Sequence, residues 1–215
     1  MLEAWKTMTA TASLASGKAV NFAASVPAPQ RITGAWDLAF PAGWGAPAKV
    51  TLPKLISWTD HADKGVRYFS GTATYTKEVK LDHALAANER ILLDLGNVKN
   101  LAEVSANGIA YPVLWRPPFR VDVTDAVKKG NGTLALTVKV TNLWPNRLIG
   151  DDELPDDCEW NGIAIKGIPQ WVKEGKPSPT GRLTFTTWRH WTKGMEPLPS
   201  GIIGPAYLRS VITVR

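Results

Sequence analysis

Three stretches of the chain set flat aromatic rings beside planar polar side chains. Trp115 and Arg116 open Trp115-Arg116-Pro117-Pro118-Phe119. Trp144, Asn146, Arg147 and Asp151 share Trp144-Pro145-Asn146-Arg147-Leu148-Ile149-Gly150-Asp151. Trp188, His190 and Trp191 close Thr187-Trp188-Arg189-His190-Trp191. An indole face covers an apolar C–H surface, and Asn, Asp and Arg bond paired hydroxyls, a combination that suits a pyranose. Pro117 and Pro118 stiffen the first stretch, so Trp115 and Arg116 are held rather than loose. Each stretch also has a purely structural reading. Trp115 can plug one end of a β-sandwich while Arg116 pairs with a carboxylate. Asn146, Arg147 and Asp151 can form a buried network that anchors a loop, or can converge with Arg116 in one pocket. Trp188 can pack into the core. Trp160 and Trp171 are harder to assign to a core.

The segment from Asp151 to Glu159 holds six of the 19 acidic residues. Paired carboxylates such as Asp151 and Glu159, at the right separation, act as acid and base on a glycosidic bond. Clustered oxygens also suit Ca²⁺, although the spacing and central glycine of an EF-hand loop are absent. Solvation, or contact with the basic remainder of the chain, is the plainer reading.

Other chemistries lack their residues. A single cysteine, Cys158, forms no internal disulfide and no cysteine-based zinc site. His61, His83 and His190 lie far apart, without an HExxH pair, so a histidine-rich metal centre is not expected. There is no GxSxG elbow, P-loop or dinucleotide fingerprint. The net charge is +6, yet no Lys/Arg-rich block occurs. The longest adjacent basic run is Lys128-Lys129, which argues against a nucleic-acid partner. No apolar run approaches the ~18–20 residues of a membrane helix.

The elements that must position these residues read as strands. Residues 1–30, rich in Ala, Ser and Thr and ending in Val26-Pro27-Ala28-Pro29, read as a tail or linker. Strands are expected at Gly34–Phe40, Ala48–Leu52, Val66–Val79, Arg90–Leu95, Leu101–Ala106, Ile109–Leu114, Arg120–Val123, Gly132–Asn142, Arg182–Trp188 and Tyr207–Val214. Asn107-Gly108 signals a hairpin turn, and Thr124–Gly130 a single helical turn. A long irregular excursion runs from Trp144 to Pro179. Short strands separated by turn signals predict an all-β sandwich or barrel, and so long an excursion predicts a functional or mobile segment.

The run Leu93-Asp94-Leu95-Gly96-Asn97-Val98, followed by Ala102–Gly108 and Leu114–Thr124, resembles the galactose-binding-like jelly roll, the sugar-binding domain of family 2 glycoside hydrolases. Gly34-Ala35-Trp36, Tyr68–Tyr75, Trp115–Phe119, Thr141–Asp151 and Ser200–Pro205 look like the C-terminal β-sandwich of large bacterial α-L-rhamnosidase-type hydrolases. The resemblance covers roughly residues 33–215. It implies a jelly-roll sandwich of two antiparallel sheets over residues 31–215, with one long loop excursion. It also implies an accessory, non-catalytic role in binding carbohydrate, or in docking onto a glycosidase catalytic domain, with no cofactor. The catalytic glutamates of those enzymes belong to a barrel domain without counterpart in this sequence. A polysaccharide-degrading parent implies a periplasmic or secreted setting. A small autonomous hydrolase using Asp151 and Glu159 is the competing reading.

Overall fold

The computed structural model describes residues 2–13 and 15–214. Met1 and Leu14 of the expected tail, and Arg215 at the end of the expected domain, lie outside the described residues. The strand Thr133–Thr141 sits at the centre because its residues alternate: Leu134, Leu136, Val138 and Val140 are all buried on one face. It pairs antiparallel with Thr72–Lys80 on one side and Leu101–Ala106 on the other. Trp36–Ala39, Lys49–Leu52 and Ile109–Ala110 complete a six-stranded sheet. The facing sheet is built on Glu89–Asp94 and Tyr207–Val214, with Arg120–Asp122, Leu2–Ala4 and the short Gln30–Arg31. Leu134, Leu136 and Tyr75 from one sheet and Ile91, Leu93 and Leu208 from the other lie in one core. The expected all-β sandwich of antiparallel sheets is the observed architecture.

Aromatic rings fill one end of that core. Phe40, Trp58, Phe69 and Tyr75 pack ring on ring at centroid separations of 4.9 to 6.3 Å. Trp58 Nε1 donates to the Tyr75 hydroxyl at 2.6 Å, so its buried N–H has a partner.

Several local expectations differ from the structure. The expected strand Ile109–Leu114 ends at Ala110, and Leu114 makes only an isolated bridge to Ala102. The expected irregular excursion holds a helix, Pro145–Asp151, a pairing of Trp160–Asn161 with Ala164–Ile165 and a helical turn, Gln170–Lys173, each too short to leave a period in the sequence. Val66–Gly71 is not strand: the Asp63 side chain accepts from Val66 N and caps a helical turn, Lys64–Arg67, so the strand begins only at Thr72. Arg182–Trp188 forms no strand and makes only an isolated bridge, Trp188 to Ala164, because the N–H groups of Leu183 and Thr184 go to a carboxylate. Residues 2–31 do not run as an irregular tail. Leu2–Ala4 adds an edge strand to Tyr207–Val214, and Met8–Ser13 pairs with Ala19–Ala24 as a hairpin. The small residues there hide a two-residue period, in which Ala10 and Ala12 of one strand and Val20 and Phe22 of the other are less exposed than their neighbours.

His83 bridges two carboxylates at the rim of the smaller sheet, Asp82 at 2.7 Å and the buried Glu89 at 2.8 Å. Burial alone would lower the imidazole's proton affinity, but the two carboxylates outweigh it and raise the pKa above the ordinary 6.5. A raised folded-state value stabilises the protein fully below 6.5, and that stability is lost as pH rises through the folded value. Stability is therefore expected to fall as the solution passes from mildly acidic to mildly alkaline. His83→Gln should flatten this dependence in urea midpoints measured across that range.

Candidate functional site

The helix Pro145–Asp151 organises the site. Trp144 is its N-cap and Pro145 occupies the first turn, where no N–H is required. The helix is too short to be stable alone and is held by side-chain bonds at both ends. Asn146 is buried. Its amide donates to Leu198 O and Ser200 Oγ, both at 2.8 Å, and its carbonyl accepts from Leu198 N at 2.7 Å. Arg147 N donates to Ser70 Oγ at 3.0 Å. At the other end Asp151, 2% exposed, accepts at Oδ2 from Leu183 N, Thr184 N and Thr184 Oγ1 at 2.7 to 2.9 Å. Its Oδ1 faces Arg147 Nε at 3.0 Å as an ion pair, at an angle outside hydrogen-bond geometry. Gly45 lets the neighbouring loop pass close by, since a Cβ there would stand 3.1 Å from Leu183 and 3.2 Å from Arg147.

This scaffold shapes an open groove of about 340 Å³. One wall is an indole pair, Trp44 and Trp144, with centroids 5.8 Å apart and planes inclined by 59°. The other is Leu183 to Thr186, with Leu148 also lining the groove. Trp144 is 58% exposed, so the groove presents aromatic surface to solvent. Thr186 Oγ1 donates to Trp188 O at 2.9 Å, which carries the second wall on to an aromatic stack. There Trp188, 53% exposed, lies parallel to His190 at 4.9 Å and 20°, with Trp191 edge-on to the imidazole.

The acidic segment folds onto arginines. Asp152 Oδ1 accepts from Arg189 Nε and Nη2 at 2.9 and 2.6 Å, and Oδ2 from Lys193 N at 2.8 Å. Asp156 pairs with Arg182 and Arg189 at 2.9 and 3.1 Å. Asp157 accepts from Ser178 at Oδ2 and from Trp171 Nε1 at its carbonyl. Glu159 is exposed and pairs with Lys166 at 3.1 Å. The space enclosed beside Asp151, Asp152 and Trp160 is about 20 Å³, room for a single water. Among the described residues no three His, Cys, Asp or Glu side chains gather as a cation site.

The structure thus joins Trp144, Asn146, Arg147 and Asp151 through one helix, and brings Trp188, His190 and Trp191 to the end of the same wall. Asn146, Arg147 and Asp151 serve as the buried network of the structural reading. Trp115 and Arg116 stand apart from them. Trp115 is 66% exposed, with the Arg116 guanidinium over its ring at 5.5 Å. No hydrogen bond among the described residues links Arg116 to Asn146, Arg147 or Asp151. Trp44 and the wall Leu183–Thr186 escape sequence reasoning. The signal for Trp44 is its place in Gly43-Trp44-Gly45, a bulky ring in a glycine-rich turn, where it is half-buried against the edge of the core.

No protein-family model matches the chain. A protein of Formosa agariphila named "Putative beta-glucuronidase" is 44% identical over 189 residues, which are 87% of this chain and 16% of the relative. The structure of a rhamnosidase from Novosphingobium sp. PP1Y superposes with a TM-score of 0.68 at 34% identity, covering 87% of this chain and 15% of that one. A β-D-glucuronidase of Dictyoglomus thermophilum shares the fold, with a TM-score of 0.51 at 17% identity over 86% of this chain and 28% of its own. The chain therefore spans about one-sixth of the length of the curated relative it matches. Its likeness to these glycosidases over most of its own length makes it a β-rich domain related to glycoside hydrolases.

Proposed function

We propose that this domain, of the galactose-binding-like jelly-roll type, recognises carbohydrate without cleaving it. The groove between Trp44–Trp144 and Leu183–Thr186 is the binding surface, and Trp188 stacked on His190 extends it. The observation that supports this reading most is the groove itself. Its volume falls in the ~300–1,000 Å³ range of ligand sites, and it offers exposed indole faces held by a buried scaffold. Asp151, by contrast, is buried with Oδ2 held by three protein donors and Oδ1 in an ion pair with Arg147, and Glu159 is paired on the surface. That arrangement favours a positioning role for Asp151 over acid–base work on a substrate. The greater length of the relatives favours a second use of the same surface, docking onto the catalytic domain of a longer glycosidase.

Trp144→Ala and Trp188→Ala should each weaken binding to a responsive glycan by about tenfold, with the melting temperature unchanged. Calorimetric titration against a panel of plant and bacterial oligosaccharides checks this. Turnover of nitrophenyl glycosides that is abolished by Glu159→Gln would replace the reading with hydrolysis. Glycan affinity untouched by both tryptophan changes would remove the groove from the account.

A further inference from the structure

The outer face of the smaller sheet carries a second set of planar and aromatic side chains, independent of the groove. Tyr207 and Arg120 are both register partners of Asp94, so all three share one face, and Arg209 follows two residues after Tyr207. Leu92 and Val211 share that face and are buried, which gives it an apolar floor. Asp94 is a buried carboxylate between two cations. Its Oδ2 accepts from Arg120 Nε at 2.8 Å and from Arg209 Nε at 2.7 Å, while Oδ1 accepts from Gly96 N at 3.0 Å. Burial pushes its carboxyl up, but the Gly96 N–H and the two guanidinium groups outweigh this and hold it below the ordinary carboxylate range.

Each arginine uses only Nε on Asp94. Among the described residues, the Nη groups of Arg120 and Arg209 have no hydrogen-bond partner, and the two side chains are 36% and 30% exposed. Arg90, on the same sheet, differs: both its Nη groups are taken, by Asp122 and Glu3. Two guanidinium groups fixed through one oxygen, with one negative charge between them, leave a net positive site with several donors already oriented. Aromatic rings flank it. The Arg120 guanidinium lies over the Trp5 ring at 6.0 Å, and that of Arg209 over the Tyr207 ring at 4.8 Å. Trp5 is 48% exposed. Fixed guanidinium forks match a carboxylate, and an exposed indole beside them matches the C–H face of a sugar ring.

We propose that this face is a second saccharide site, specific for a carboxylate-bearing sugar: Arg120 and Arg209 clamp the carboxylate of a uronate and Trp5 carries its ring. The site does not use the groove, so either can fail without the other. The test is titration of the whole chain with a short oligouronide and with its carboxyl-reduced counterpart. The oligouronide should bind more tightly by about tenfold or more, and added salt should erode the difference. Arg209→Lys keeps a charge but loses the fork, and Trp5→Ala removes only an exposed ring. Each should cost the oligouronide about tenfold without loss of fold. Arg120→Gln should do the same, with circular dichroism showing that Asp94 remains accommodated. Equal affinity for the neutral counterpart would overturn the proposal. So would oligouronide binding that Trp5→Ala and Arg209→Lys leave unchanged, or competition by inorganic phosphate as effective as by free uronate, which would mark a simple anion site.

Discussion

Asp151→Ala is expected to lower the melting temperature by on the order of 10 °C and to abolish the groove. The carboxylate is buried with Arg147, and removing one partner of a buried pair costs ~3–5 kcal/mol because the other charge is left without compensation. For a chain of this length each kcal/mol lowers the midpoint by ~2–4 °C. The same change releases the N–H groups of Leu183 and Thr184 and the Thr184 hydroxyl, so the second wall loses its anchor. Asp151→Asn should recover little. Its carbonyl can face the wall or Arg147, but then its amide hydrogens oppose donors on the other side. Arg147→Met should cost less than Asp151→Ala, since Asp151 keeps its three donors. Thermal melts of the three variants check the order. A mild effect of Asp151→Ala on stability joined to a total loss of glycoside turnover would instead mark Asp151 as a reacting group.

Gly201→Ala should destabilise the fold to a similar degree, from a buried position against the aromatic core. Gly201 has φ +85°, and a Cβ there would stand 2.5 Å from both Trp58 Nε1 and the Tyr75 hydroxyl. Both partners are fully buried and bonded to each other, and the Tyr75 hydroxyl also accepts from Ile202 N at 3.0 Å. Neither ring has space to retreat, so overpacking adds ~1–3 kcal/mol to the ~1–3 kcal/mol of an unfavourable backbone conformation. The effect should reach the site, because the adjacent Ser200 Oγ accepts from Asn142 and Asn146 and donates to Leu198 O. Urea unfolding should show a lower midpoint for Gly201→Ala. Weakened glycan binding should accompany it even where the variant remains folded.

The sandwich was legible where a residue pattern is local. Leu134, Leu136, Val138 and Val140 announce the central strand by alternation. Asn107 and Gly108, at φ 49° and 79°, form the turn that their dipeptide signals. The edge strand Leu2–Ala4 and the hairpin after it were not legible, because alanine, serine and threonine supply little contrast between faces. Val66–Gly71 misleads because its β-rich composition competes with a cap from Asp63, and the cap wins locally. At the site, the ring and charges of Trp144 through Asp151 stand out in the sequence, but the helix that carries them does not, because its 7 residues are too few to show a helical period. Its division of labour does not follow from the sequence. Whether Asp151 faces solvent or Leu183 depends on a contact between segments distant in the chain, as does the meeting of Trp44 with Trp144. Arg120 and Arg209 likewise meet only because separate strands flank Asp94.

The indole N–H resonances of the ten tryptophans report on each of these surfaces at once. Adding a binding oligosaccharide to the ¹⁵N-labelled chain should shift the signals of Trp44, Trp144 and Trp188 and leave those of the buried Trp36 and Trp58 in place. Saturating glycan that moves none of the three, or that moves only Trp160 and Trp171 beside the acidic segment, would contradict recognition in the groove.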